Sequence, residues 1–106
     1  MSKQELIEAS PRLSHPSRDE LDLVGVLHAF ADPVRLAIVR RLAAEGECAC
    51  GTFELGVSRS TLSHHFRTLR ECGVTQVREV GTFRYSRLRR DDLDARFPGL
   101  LDSVLP

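Results

Sequence analysis

No stretch of this chain is apolar for long enough to cross a bilayer as a helix. A span needs about 18 or more such residues in a row. The nearest approach, LDLVGVLHAFADPV from Leu21, is interrupted by Asp22, His28 and Asp32. The first twenty residues, MSKQELIEASPRLSHPSRDE, lack the apolar centre of a secretory signal. These absences predict a cytoplasmic protein without a membrane partner. Cysteine is scarce too. Cys48, Cys50 and Cys72 are too few and too close together to frame a disulfide-stapled fold, and they suit a reducing compartment. There is no phosphate-binding glycine loop and no H-E-x-x-H. A Ser-His pair on one surface helix has no pocket to exclude water. The expectation is that no residue is catalytic.

Net charge is also missing, with 15 basic residues against 15 acidic. Its distribution is uneven, however. Between Arg59 and Arg90 there are eight arginines and only two acids, Glu71 and Glu79, a surplus of six positive charges. The remainder carries the opposite surplus. A polyanion-binding surface on an acidic body has this pattern, and so does a merely solvated arginine-rich face. What the chain does have is 106 residues, 42% of them apolar, enough for one domain with a modest core.

Residues 1–16 are polar and contain Pro11 and Pro16, which predicts a flexible N-terminal arm. Ser17-Arg18-Asp19-Glu20 reads as a capping box, predicting a helix through Ala31. Its apolar residues occupy more than one stripe, an excess that burial against a second subunit would absorb. Asp32-Pro33 starts the next helix, which ends at Gly46 with Leu36, Val39 and Leu42 on one face. CACGTFEL predicts one or two helical turns, and Gly56-Val57 a tight turn. Ser58 then caps a helix over about 59–71 that stops at Gly73. VTQVREVGTFRYSRLRR changes period and predicts a β-hairpin over about 75–88 with Gly81 in its turn. The last element starts at Asp91 or Asp92, is broken by Pro98 and is markedly apolar over about 92–105. The fold class is therefore mainly α with a small β-hairpin: a winged helix-turn-helix over 17–106 whose first helix would bury its excess apolar surface against a second subunit.

The helix beginning at Arg59 carries the chemistry. At about 100° per residue, Leu62, Phe66 and Leu69 form one tight stripe that must face the core. Opposite lie Ser60, Thr61, His64 and Arg67, flanked by Ser63, while His65 borders the core side. Short hydroxyls allow close approach to phosphates and base edges, and Arg67 can reach a phosphate or pair with a guanine. A purely solvated face would favour Glu, Lys and Gln, which form helix better than Ser or Thr. Adjacent histidines point about 100° apart and cannot share one ion. Arg78, Arg84 and Arg87 on the hairpin add a basic wing, or else shield an exposed sheet edge.

ADPVRLAIVRRL, VSRSTLSHHFRTLRECGV and VGTFRYSRLRRDDL, in this order, resemble the ArsR/SmtB winged-helix repressors of bacteria over roughly residues 22–95. The resemblance implies a homodimer built from the first and last helices. It also implies repression at an inverted-repeat operator in duplex DNA, with release by an effector. Carried over by position, it puts DNA contacts on Ser58, Arg59, Ser60, Thr61, Ser63 and His64, with Arg84 on the wing. Many members hold thiophilic metal at a Cys-x-Cys pair, and Cys48-Ala49-Cys50 stands there. Here the pair continues Gly51-Thr52-Phe53 rather than Asp-Leu, and the spacer to the next helix is about one residue short. His15 is the only soft ligand in the arm. The family's other metal site takes Asp and His from the last helix, where this chain has Asp91, Asp92, Asp94 and Asp102 but no histidine. No metal ligand is therefore assigned, the effector is left open, and half-buried packing is preferred for the cysteines over metal binding or thiol oxidation. The competing function is a winged-helix protein-interaction module that binds no DNA.

Overall fold

The computed structural model describes residues 13–105. Most of the expected arm lies outside the described residues. Its end, Leu13–Pro16, is held against the body: His15 Nε2 accepts the Val77 N–H at 3.0 Å, and Arg89 donates to the Pro16 carbonyl at 2.7 Å.

The single helix expected from Ser17 to Ala31 is two elements. A 3-10 turn spans Arg18–Glu20, and helix α1 spans Leu23–Phe30. The capping signal at Ser17 is used, since Glu20 accepts the Ser17 N–H at 2.8 Å. Leu21 then turns its side chain into the core and is only 3% exposed. That extended residue ends the turn, and Asp22 recaps the chain by accepting the Gly25 N–H at 3.1 Å.

Helix α2, Pro33–Glu45, follows the expected start: Asp32 accepts the N–H groups of Val34 and Arg35, with Pro at the first position. Ile38, Val39 and Leu42 are its buried face, while Leu36 stays half-buried. The segment expected as helical turns begins instead as strand β1, Cys48–Ala49, and only Cys50–Thr52 forms a 3-10 turn. Helix α3, Arg59–Glu71, is capped by Ser58, which accepts the Thr61 N–H at 3.1 Å. The wing is β2, Thr75–Val80, and β3, Phe83–Leu88. Gly81 at φ 60° opens their two-residue turn, with Val80 opposite Phe83. Positive φ at the first turn residue alone is the type II′ arrangement, which needs glycine there. β1 pairs with β3, so the hairpin is part of a three-stranded antiparallel sheet in the order β1-β3-β2. Helix α4, Arg90–Arg96, starts a residue earlier than expected, and Pro98-Gly99 separates it from α5, Leu100–Val104.

One core joins these parts. Val26 and Ala29 from α1, Leu69 from α3, Val74 before β2, Leu93 from α4 and Leu101 from α5 are all fully buried. Each buried Val or Leu side chain contributes about 1.5–3 kcal/mol by leaving water. Gly73 closes α3 at φ 82°, and a Cβ there would stand 2.0 Å from Leu21 Cδ2. A side chain there would crowd Leu21 where α3 meets the N-terminal turn.

Candidate nucleic-acid interface

The face of α3 turned from the core is open. Leu69 is fully buried and Phe66 is 8% exposed, whereas Ser58, Arg59, Ser60, Thr61, Ser63, His64 and Arg67 are all exposed. Ser58 is occupied locally: besides capping, its hydroxyl donates to Thr61 Oγ1 at 2.9 Å. Ser60, Ser63, His64 and Arg67 line one depression, with Arg70 behind them and Arg84 from β3 across it. Arg84 is exposed and held at 3.4 Å from Glu79 on the neighbouring strand. The helix and the wing therefore present hydroxyls, an imidazole and guanidinium groups to one concave surface. These groups suit phosphate oxygens and base edges.

The other wing arginines are engaged elsewhere. Arg78 makes two bonds to the Glu47 carboxylate, at 2.8 and 2.7 Å, and stacks on Tyr85. Its pKa is raised, chiefly by the hydrogen bond to Glu47. Arg87 donates to Gln76 Oε1, and Arg89 to Asp92 at 2.9 Å. The positive surplus of this segment is thus only partly available to a ligand. Helix α1 shows the opposite polarity. Leu23, Val24 and Leu27 are 44%, 73% and 46% exposed, a contiguous apolar face. In α4 and α5, Leu93 and Leu101 are fully buried, and Phe97, Leu100, Val104 and Leu105 are half-buried against the same core.

Residues 32–76 match the family model for bacterial regulatory proteins of the arsR family. An HTH-type transcriptional regulator of Bacillus subtilis, YceK, is 37% identical over 82 residues, covering 74% of this chain and 82% of the relative. The arsenical resistance operon repressor of Staphylococcus xylosus is 32% identical over 74 residues, covering 69% and 71%. Among solved structures, the transcriptional repressor BigR from Xylella fastidiosa superposes with a TM-score of 0.57 at 30% identity, covering 71% of this chain and 85% of that one.

The chain belongs to the ArsR family.

This ArsR-family chain is accordingly a DNA-binding transcriptional regulator with a winged helix-turn-helix fold. One of its thiols is buried and two are half-buried. Cys48 is buried in β1, and Cys50 Sγ lies 3.3 Å from Ser86 Oγ. Burial pushes the thiols of Cys50 and Cys72 up. Both are therefore protonated at neutral pH, the less reactive form. Among the described residues no three His, Cys, Asp or Glu side chains cluster as a metal site. No helix among them is long and apolar enough to cross a membrane.

Sequence reasoning set His65 at the core margin but missed the burial of Arg35 beside it. Arg35 is 7% exposed and His65 8% exposed. Arg35 Nη1 lies 3.1 Å from His65 Nδ1, joining α2 to α3 across thirty positions of sequence. The only signal was the place of His65 on the border of the apolar stripe.

Proposed function

We propose that the protein is a homodimeric repressor that binds an inverted-repeat operator and is released by an effector. Two copies pair through the apolar face of α1, with the half-buried side chains of α5 as a lesser part of the seam. Each copy offers its α3 to a major groove and its wing to the adjoining backbone. Ser60, Thr61, Ser63 and His64 contact base edges and phosphates at close range. Arg59 and Arg67 supply charge, the N-terminal end of α3 attracts a phosphate, and Arg84 anchors the wing. Ser58 shapes that end by capping it. The observation that carries the reading is the pairing of two unpartnered faces on one small domain: a hydroxyl-, imidazole- and guanidinium-bearing face on α3 and an aliphatic face on α1. The relatives named as repressors support the direction of control. Action on DNA places the protein in the cytoplasm, and the reading gives it no catalytic role.

Fluorescence anisotropy of a labelled duplex, enriched by the protein from a random pool, tests this. Binding with a strong fall in log affinity against log salt is expected. Failure to enrich any duplex at low salt would favour the protein-interaction module.

A further inference from the structure

The chemistry around Arg35 goes beyond ordinary core packing. Its guanidinium donates through Nε to the Ala29 carbonyl at 2.9 Å and through Nη2 to the His28 carbonyl at 3.0 Å. These carbonyls belong to the last turn of α1, where the helix dipole is negative; the His28 carbonyl also accepts the Ala31 N–H at 3.1 Å. A buried cation is thereby compensated by a helix end. The third arm of the same guanidinium, Nη1, meets His65 Nδ1 at 3.1 Å. Arginine has only donors, so Nδ1 must accept and the ring proton sits on Nε2. That Nε2 faces Asp32 Oδ1 at 3.9 Å, the same oxygen that caps α2 by accepting the N–H groups of Val34 and Arg35. One planar group thus fixes the end of α1, the start of α2 and the middle of α3. His65 adjoins His64, which projects from the exposed face of α3.

We propose that Arg35 and His65 are a positioning pair that sets the angle of the recognition helix against the dimer helix, and with it the discrimination between operator and other DNA. The inference rests on the repressor reading above. A guanidinium with three directed bonds resists rotation, whereas aliphatic contacts alone allow α3 to roll on the core. Random DNA is held by phosphate contacts from exposed arginines and tolerates such a roll. Base edges do not, because their hydrogen bonds are directional.

The test compares affinity for the wild-type-enriched duplex with affinity for a random duplex of equal length. The main variant is Arg35→Met with His65→Phe. It removes the pair without stranding a buried charge or donor, but it leaves the Ala29 carbonyl without its donor, so a modest fall in melting temperature is expected and affinities are compared well below it. The expected result is unchanged affinity for random DNA and at least about a tenfold loss on the enriched duplex, the scale of one base contact. A double variant that discriminates as well as wild type overturns the proposal. His65→Phe against His65→Asn repeats the test at one site, because Asn keeps an acceptor near the Nδ1 position. Asn is expected to retain discrimination and Phe to lose it, and equal behaviour of the two counts against the pair. Nitrogen-15 NMR of the imidazole gives an independent readout, with an unprotonated Nδ1 expected and a protonated one contradictory. If wild type itself shows no preference between the duplexes, the repressor reading fails instead, which separates the two failures.

Discussion

Replacing Arg67 by alanine isolates the electrostatic part of DNA binding. Arg67 is exposed on α3 and makes no ion pair among the described residues, so its loss leaves the fold alone, within about ±0.5 kcal/mol. In a dimer the change removes two phosphate contacts. Each neutralised phosphate contributes about 0.9 to the slope of log affinity against log salt, so the slope flattens by about 2. Between about 50 and 200 mM salt the variant then loses roughly tenfold less affinity than wild type does. Anisotropy titrations across that range, with circular dichroism to confirm the fold, read this directly. A parallel drop at every salt concentration, with the slope unchanged, would refute a phosphate contact at Arg67. A variant with wild-type affinity throughout would remove Arg67 from the interface.

Other perturbations probe the parts that hold this surface in place. Gly73→Ala puts a methyl group against Leu21 at positive φ, and strain plus overpacking should cost about 2–4 kcal/mol, a drop in melting temperature on the order of 10 °C or more; a melt within about 2 °C of wild type would show that the N-terminal turn yields freely. Leu27→Glu charges the exposed face of α1 and should leave a folded monomer in sedimentation velocity, while an intact dimer would place the seam elsewhere. Burial lowers the pKa of His15, so its neutral form is the one favoured in the folded state. Its contribution to stability is complete above the unfolded value of 6.5 and is lost as pH falls through the lower folded value. Wild type should therefore lose more stability than His15→Gln between pH 7.5 and 5, and parallel pH profiles would exclude this histidine.

The sequence was most legible where signals were local. Asp32-Pro33, Ser58 and Gly73 mark helix ends because caps act within one turn, and α2 and α3 begin where those caps stand. The open face of α3 followed from helical period alone. What stayed hidden depended on partners far along the chain. Cys48–Ala49 is too short to show alternation and becomes a strand only because Tyr85 and Ser86 lie opposite. The break at Leu21 comes from its burial beside Gly73, over a capping box that is otherwise valid. Counting arginines overstated the wing, since Glu47, Gln76 and Asp92 take up Arg78, Arg87 and Arg89. Of the bond from Arg35 to His65, only the place of His65 at the edge of the apolar stripe was legible.

Hydroxyl-radical footprinting of the enriched duplex tests the central claim most directly. Two copies of α3 related by a two-fold axis should protect two patches whose centres lie about one duplex turn, roughly 10 base pairs, apart. Two protomers should bind per duplex. A single protected patch, or saturation at one protomer per duplex, would contradict the account.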